Sequence, residues 1–354
     1  MCFQVRGLES SYCFYSHPEI GFAFSWLELI SHRHFLPNLL LFPGQKAWHI
    51  AHELLIDQLL SLEPYLRRIE LAEPIKKLYE GTLRVLLVLM HDVPSFIAGY
   101  HLSLCNVIPE TCVQLRNIVL AASPKGLTAP DPFTPNLKID LLPETAQAPT
   151  ILSNVLGPIE KLRSHLDAYL NEAPRRSKFL TGLLPHLCLP GAREVDAAKV
   201  NALVLYVGAR SLARAQSPQI SLSRTPGIEI LEKLMEFDDR GRYVCLNAIA
   251  NQLRFPSSHT HYFSCVMLYL FIESKSVAVK EQVTRVLLER LIVHRPHPWG
   301  ILITFIELIK NQRYAFWSYP FTRSASEIEK VFESVARSCM PPGQRTTLVG
   351  GDDQ

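Results

Sequence analysis

The sequence predicts an all-α protein, built as an irregular HEAT-like stack of antiparallel helix pairs with one long proline-rich ordered loop. Apolar residues return at helical spacing along most of the chain, and prolines fall between the periodic segments. Strand signals are scarce, because no Asn-Gly or Asp-Gly pair joins two alternating apolar runs. Successive helix pairs without a strict repeat bury their apolar faces only against their neighbours.

The helix predicted at 277–294 shows the pattern most clearly. Starting from Val279, apolar residues return at i, i+4, i+7, i+8 and i+12, which places them on one stripe. Pro296 and Pro298 end this helix, because proline lacks a backbone donor and restricts the residue before it. The pattern restarts at Trp299, so two helices joined by such a short turn should pack together.

The same reasoning predicts the remaining helices in chain order. With 277–294 included, the predicted helices are 22–36, 45–62, 73–91, 94–104, 110–122, 157–171, 177–187, 196–216, 227–237, 241–254, 259–274, 277–294, 298–311 and 325–339.

Two segments interrupt the helical rhythm. The segment 123–143 holds five prolines together with apolar Phe133, Leu137 and Leu141. Prolines stiffen a chain, so we expect an ordered segment that lies across the helices or is used by a partner. The segment 217–226 is polar and is predicted to be an ordinary variable loop.

Composition limits the class of protein. The chain has 48% hydrophobic and 19% charged residues and a formal net charge of +3, which is too balanced to indicate a nucleic-acid surface. The eight cysteines contain no Cys-x-x-Cys pair and are predicted to be free thiols in a reducing compartment. Apolar runs are too short for a bilayer span, and no signal peptide is recognised.

Histidine and cysteine residues that lie close together in the sequence raise the question of a metal site. His259, His261 and Cys265 fall close together, but zinc needs three or four convergent ligands, and no further thiol or carboxylate lies nearby in the sequence. We favour a structural interpretation, in which Ser258 is the N-cap of a helix and the histidines hydrogen-bond to backbone there. His32 and His34 form a second His-x-His without further ligands.

Catalytic patterns are not recognised either. Gly-x-Ser-x-Gly and phosphate-binding glycine loops do not occur. His91 and Asp92 are adjacent on a helix and should point about 100° apart, at a helix end before Pro94. Asp238 and Asp239 are interpreted as a turn and helix cap. The sequence therefore predicts no catalytic, cofactor-binding or metal-binding residues and no enzyme activity.

Aromatic residues interleave with a basic residue at 313–319. Such a pattern is found in surfaces that stack on single-stranded RNA, but packing of Tyr314, Phe316 and Trp317 against the last helical pair is favoured. Trp26 and Trp299 lie in helical stripes and are predicted to belong to the core.

Long strings in the second half of the chain resemble a known family. They are LNAIANQLR at 246–254, SHTHYFS at 258–264, TRVLLERLIV at 284–293 and RPHPWGILITFIELIK at 295–310. The resemblance continues upstream in the same order, with FAFSWLELISHR at 22–33, GTLRVLLVL at 81–89, VIP at 107–109, QLRN at 114–117, DPFTPNLK at 131–138 and NALVLYVG at 201–208. These strings resemble the C-terminal domain of Not-one, the scaffold subunit of the eukaryotic CCR-NOT deadenylase complex.

The resemblance implies a domain at 21–340, after an atypical segment at 1–20 and before a disordered tail at 341–354. Family members are very long proteins, so the chain is expected to be a fragment or truncated product. The implied function is a scaffold without catalytic activity in mRNA deadenylation, mRNA decay and translational repression, in the cytoplasm, including P-bodies, and in the nucleus.

The implied partners are the Not-box subunits, Not-two with Not-three or Not-five, together with short repressor peptides such as those of Nanos and the rest of the complex. No membrane is involved. The proline-rich segment gives the candidate partner-binding residues, which are Asp131, Phe133, Pro135, Asn136, Leu137 and Lys138. Three other functions stay open, namely a helical-repeat transport carrier, an α-helical hydrolase and a direct RNA-binding protein.

Overall fold

The computed structural model describes residues 20–68, 70–134, 137–172, 178–214, 225–323 and 330. Helices dominate these residues, and the only extended pairing among them is an isolated bridge between Cys188 and Val195. This confirms the all-α prediction. The predicted tail at 341–354 and the segment 1–19 lie outside the described residues, and the predicted domain limits stay predictions.

The chain divides into two compact units, described separately here. Unit 1 holds the described residues up to Val119 together with Ile151–Ser153, and unit 2 holds Leu120–Thr150 and the described residues from Asn154 onward. No described helix is long and apolar enough to cross a membrane.

Unit 1 is arranged around one long helix. Its helices are α1 (Ile20–Ile30), α2 (Leu36–Leu40), α3 (Trp48–Leu66), α4 (Glu73–Asp92), α5 (Pro94–Gly99), α6 (His101–Val107) and α7 (Val113–Ala121), the last of which ends at the unit boundary. Helix α3 packs against α1, α2, α4 and α6. It does so with a stripe at helical spacing, in which Leu55, Leu59 and Leu62 are buried.

Two predicted helices of unit 1 are broken in the structure. The helix predicted at 22–36 ends at Ile30, and α2 begins only after a turn, with Pro37 in its first positions. The helix predicted at 94–104 is divided at Tyr100 into α5 and α6. The first break follows from proline, which starts helices more readily than it continues them.

The break at Tyr100 has a cause distant in sequence. The carbonyl of Gly99 accepts a hydrogen bond from the backbone N–H of Leu152 at 2.8 Å, and the N–H of Ser103 donates to Ser153 Oγ at 3.2 Å. Leu152 also lies where a Cβ on Gly99 would be, with its Cδ1 only 2.8 Å from that position. The strap Ile151–Ser153 therefore takes over hydrogen bonds that would otherwise continue the helix.

Unit 2 forms the helical stack. Its helices are α8 (Arg163–Glu172), α9 (Lys178–His186), α10 (Ala197–Arg214), α11 (Pro226–Leu234), α12 (Asp239–Ala250), α13 (Ser258–Glu273), α14 (Val277–Leu291) and α15 (Trp299–Lys310). Short 3-10 turns lie at Ile139–Leu141, Pro143–Ala146, Gly157–Leu162, Gln312–Tyr314, Phe316–Ser318 and Pro320–Arg323. The helix predicted at 325–339 lies outside the described residues except for Lys330.

The helices of unit 2 pack in two layers. Helix α12 lies between α10 and α14 in one layer, and α13 packs on α15 in the other. Contacts of α12 with α13, of α13 with α14 and of α14 with α15 join the layers through one buried apolar core. This is the packing expected of a HEAT-like stack, in which each helix pair covers its neighbour.

A buried polar network joins the first layer. Arg290 on α14 is 1% exposed and donates to Asn247 Oδ1 at 2.9 Å and to Asn251 Oδ1 at 2.7 Å, both on or next to α12. Asn251 in turn donates to Asn201 Oδ1 on α10 at 3.0 Å. Buried polar groups need partners with good geometry, so this network favours one register of the three helices.

Candidate docking segment

The proline-rich segment lies over the first turns of α13 and α15. The indole N–H of Trp299, the first residue of α15, donates to the Pro130 carbonyl at 2.8 Å. The backbone N–H of Ser258, the first residue of α13, donates to the carbonyl of Gln147 at 2.9 Å. The first backbone N–H groups of a helix have no hydrogen-bond partner within the helix. The carbonyl of Gln147 supplies such a partner to the N–H of Ser258. The predicted ordered segment is confirmed for its described residues.

A side-chain contact holds the middle of this segment. The Nε2 atom of His261 on α13 lies 2.8 Å from Asp140 Oδ1. The side chain of Asp140 is 81% exposed whereas that of His261 is 14% exposed, so the pair is formed at the surface. Exposed ion pairs contribute less than about 1 kcal/mol, and this contact orients the segment more than it stabilises the fold.

The candidate partner-binding residues divide into two groups. Asp131 and Lys138 are exposed, whereas Phe133 and Leu137 are half-buried. Phe133 packs against the core of unit 2, and its backbone N–H donates to Asp131 Oδ1 at 3.0 Å in a tight turn. Among these candidate residues the exposed side chains are therefore polar, and the apolar ring of Phe133 faces the core.

Pro135 and Asn136, the other two candidate residues, lie outside the described residues.

Leu141 was not among the predicted site residues, although it is the most exposed large apolar side chain of the segment. It is 73% exposed at the end of the 3-10 turn Ile139–Leu141. The sequence shows apolar residues between Pro135 and Pro143, but it does not show which of their side chains face inward. Lys138, which precedes this turn, and Asp140 within it are exposed as well.

The start of α13 differs from its prediction by one residue. Ser257, not Ser258, is the N-cap, because Ser257 is extended with φ −167° and its hydroxyl accepts from the N–H of Thr260 at 3.2 Å. The histidine interpretation was also wrong for His261, whose ring contacts the Asp140 carboxylate instead of the backbone. That carboxylate comes from a segment far away in the sequence.

Two titratable groups on α13, His259 and Cys265, are held in their neutral forms. Burial, with a smaller contribution from Arg254, lowers the pKa of His259 to about 4. Burial, followed by Asp140 and Glu307, raises the pKa of the Cys265 thiol to about 11. A thiol with a raised pKa is a poor nucleophile and a poor metal ligand at neutral pH. Within the described residues, no three or more His, Cys, Asp or Glu side chains form a group that could hold a metal.

Two pairs of adjacent titratable residues, Asp238 with Asp239 and His91 with Asp92, lie at helix ends. Asp238 is the N-cap of α12 and accepts from the N–H of Gly241 at 2.8 Å, which confirms the predicted helix cap. Helix α4 ends at Asp92, before Pro94, as predicted. The expectation that His91 and Asp92 point apart was wrong, because His91 Nδ1 lies 2.7 Å from Asp92 Oδ1. Both side chains are exposed at the helix end and free to turn toward each other.

The aromatic string at 313–319 packs inward. Phe316 is buried in the core, and the indole of Trp317 donates to the carbonyl of Ile309 at 3.1 Å. Tyr314 packs against the same core. The predicted packing is confirmed, and these rings are not presented as a stacking surface. Of the two predicted core tryptophans, Trp299 is buried and Trp26 is half-buried.

The fold defines a class of protein. A two-layered helical stack in which each helix pair covers its neighbour is the architecture of a helical-repeat protein. The family model described as "CCR4-Not complex component, Not1" matches residues 17–336. The chain belongs to this Not1 family.

Curated relatives from two organisms match most of the chain. The chain is 44% identical over 339 residues to CCR4-NOT transcription complex subunit let-711 of Caenorhabditis elegans, with 91% of the chain and 13% of that protein covered. It is 40% identical over 342 residues to general negative regulator of transcription subunit 1 of Schizosaccharomyces pombe, with 93% of the chain and 16% of that protein covered. The chain thus spans 13% and 16% of the length of these relatives.

Two solved structures share the fold. The NOT1 superfamily homology domain from Chaetomium thermophilum gives a TM-score of 0.83 at 29% identity and covers 90% of this chain and 66% of that chain. A Not1 C-terminal domain in complex with Not4 gives a TM-score of 0.80 at 27% identity and covers 92% of this chain and 66% of that chain.

Proposed function

We propose that this chain is a docking scaffold of the CCR4-NOT complex, which binds other subunits and performs no catalysis itself. The observation that carries the proposal is the similarity, over 92% of the chain, to a Not1 C-terminal domain solved in complex with Not4. A complex in which one domain of this fold binds another subunit supports the same role here.

The architecture supports docking in physical terms. Grooves between packed helices accept the apolar side chains of an extended or helical segment, and a rigid platform changes little on binding. In unit 2 the Arg290 network and the continuous core favour such rigidity. The proline-rich segment adds a stiff surface that is already ordered, so less entropy is lost when a partner binds.

The specific partners in this proposal are the Not-box subunits, Not-two with Not-three or Not-five, and short repressor peptides. Their docking would support mRNA deadenylation, mRNA decay and translational repression, in the cytoplasm and the nucleus. Lys138 and Leu141 are the proposed contact residues because both are exposed near the end of the segment, and we call these two residues its outer face. Phe133 is proposed to hold the segment in place, since its ring packs against the core of unit 2.

The absence of catalysis is part of the proposal. The raised pKa of the Cys265 thiol argues against a cysteine nucleophile at that position. The purified chain should release no nucleotides from a polyadenylated RNA in the presence of Mg²⁺ or Mn²⁺. Turnover that survives repurification and disappears on a single substitution in this chain would contradict the scaffold role.

Binding of a purified Not-box pair, measured by isothermal titration calorimetry, tests the docking role. Leu141→Glu should weaken that binding by at least about tenfold, because a charge would enter an apolar contact. The matched control is Val277→Glu, which changes another exposed apolar side chain of unit 2, at the start of α14. A wild-type chain that does not bind the pair would refute the docking role, and equal affinity of wild type and Leu141→Glu would refute the assigned face.

A further inference from the structure

Unit 1 exposes large apolar side chains within one short stretch of chain. We call residues 35–50, which contain α2 and the turn to the start of α3, the α2 tip. In it Phe35 is 37% exposed, Leu41 75%, Phe42 52% and Ile50 41%. Single exposed apolar residues are ordinary on protein surfaces, but several within one stretch of this length indicate an interaction site.

The α2 tip is firmly anchored. Leu36, Leu40 and Trp48 are buried, and the indole N–H of Trp48 donates to the Leu40 carbonyl at 2.9 Å. The ring of Trp48 also packs edge-on against Phe96 with 5.5 Å between ring centroids. These contacts fix both ends of the turn, so its exposed side chains are held in place by the fold.

The backbone of the tip supports a functional role. Gly44 has φ 69° and Gln45 has φ 59°, so two successive residues adopt the left-handed conformation. Glycine adopts this conformation without strain, but for Gln45 it is strained. Strained residues of this kind are concentrated at binding and catalytic sites.

The charge of this region indicates what it binds. Residues 29–52 contain Arg33, Lys46 and four histidines and contain no Asp or Glu. Arg33 and Lys46 are both exposed. Carboxylates occur only on either side, at Glu28 and Glu53. A stretch of chain that carries exposed apolar side chains and cations and holds no acidic residue is complementary to a partner segment with apolar and acidic residues.

We propose that the α2 tip docks a short segment of a partner protein in which apolar side chains are flanked by Asp or Glu. This inference rests on the proposed docking function and adds a second surface, in unit 1, with a defined partner chemistry. A protein segment fits better than RNA, because aliphatic Leu41 and Ile50 offer no π-face to bases. It also fits better than an anionic membrane, because Arg33 and Lys46 are only two permanent charges, whereas basic clusters that bind such membranes hold about four to eight.

A photo-crosslinking experiment tests the proposal directly. The chain with Phe42→p-benzoylphenylalanine is produced in cells, irradiated and purified, and the crosslinked peptides are sequenced by mass spectrometry. We expect one dominant peptide with apolar residues next to Asp or Glu. The control is Val88→p-benzoylphenylalanine, since Val88 is 55% exposed on α4 in the same unit and lies outside the tip.

Charge reversal then tests the recognition chemistry. The peptide captured at Phe42 is synthesised, and its affinity for the chain should fall at least tenfold with Arg33→Glu combined with Lys46→Glu. Replacing the Asp and Glu residues of the peptide by Lys should restore binding to that doubly substituted chain. Melting temperatures of the variants confirm that exposed substitutions leave the fold intact.

Several outcomes would overturn the proposal. These are a captured peptide that is basic or belongs to a second copy of this chain, equal capture at positions 42 and 88, or no effect of charge reversal. Saturable binding of an oligouridine RNA or of phosphatidylserine vesicles that is lost with Leu41→Glu combined with Phe42→Glu would assign the tip to another class of ligand.

The design separates this inference from the docking function itself. If Not-box subunits co-purify with the chain but no acidic peptide is captured at Phe42, the inference about the tip fails and the docking function stands. If no subunit of the complex co-purifies with the chain, the proposed function fails as well.

Discussion

The proline-rich segment of unit 2 and the α2 tip of unit 1 have similar composition but differ in how many large apolar side chains they expose. Among the described residues these are Leu141 alone in the segment, and Phe35, Leu41, Phe42 and Ile50 in the tip. Both combine prolines with large apolar residues between helices. In the segment Phe133 packs against the core, whereas in the tip Leu41 is 75% exposed. The segment is held at the start of α15, where the indole N–H of Trp299 donates to the carbonyl of Pro130. Just beyond the segment, the carbonyl of Gln147 accepts from the N–H of Ser258 at the start of α13. The tip is held by its own buried residues, so its remaining side chains are left for a partner.

The largest expected effect concerns the anchoring of the segment. Trp299→Ala should destabilise the protein by about 3 kcal/mol, because a buried aromatic side chain and its hydrogen bond to Pro130 are both lost. Trp299→Phe keeps most of the packing and should cost about 1 kcal/mol. Urea unfolding measures both variants. If Trp299→Ala unfolds like wild type, the segment is not held as described.

Mild acid should weaken both units. Burial lowers the pKa of His52 on α3 and of His259 on α13 to about 4 each, below the ordinary value of 6.5. The unfolded chain therefore takes up protons before the folded chain does. The free energy of unfolding has its full value above pH 6.5. It falls as the pH drops toward 4, by about 2 kcal/mol for each histidine after allowance for partial solvent exposure.

Unfolding measured between pH 7 and pH 4.5 tests this dependence. His259→Gln should flatten the acid limb of the curve. A His259→Gln variant with the same acid limb as wild type would show that this histidine titrates normally in the folded state.

Substitutions of Phe133 and Leu137 show whether these side chains cover the core or contact a partner directly. Phe133→Ala should lower the free energy of unfolding by about 1–2 kcal/mol, because the half-buried ring packs against the core. Leu137→Ala should have a smaller effect. If either residue is instead a binding anchor, its loss should weaken binding of the Not-box pair by more than about 1 kcal/mol with unchanged stability. Thermal melting and calorimetry on the same samples separate these two results.

The smallest expected effect is on the stability of the tip. Phe42→Ala should change the free energy of unfolding by less than about 0.5 kcal/mol, because the side chain is 52% exposed. Loss of stability comparable to that of Phe133→Ala would show that the tip is part of the core. The contrast between the two regions would then disappear.

Sequence periodicity predicted most helices because local patterns determine them. The helix predicted at 277–294 is observed at Val277–Leu291, and the ordered character of the proline-rich segment was also predicted. The break at Tyr100 was not predictable, because it follows from the distant strap Ile151–Ser153. The contact of His261 with Asp140 was missed for the same reason.

The direction of side chains in the proline-rich segment also escaped prediction. Prolines remove the period of two or 3.6 residues from which inward and outward faces are read. Phe133 and Leu141 therefore looked alike in the sequence, although one is packed and the other is 73% exposed. The exposed tip was missed because the pattern at 22–36 was interpreted as one continuous helix.

Amide hydrogen exchange of the chain, with and without a bound Not-box pair, tests the central claim most directly. The claim is that the outer face of the proline-rich segment is a docking surface of the scaffold. Binding should slow exchange at residues 137–142, around Lys138 and Leu141, and leave the buried helix α12 unchanged. Formation of the complex with unaltered exchange at 137–142 and protection elsewhere in unit 2 would contradict this account.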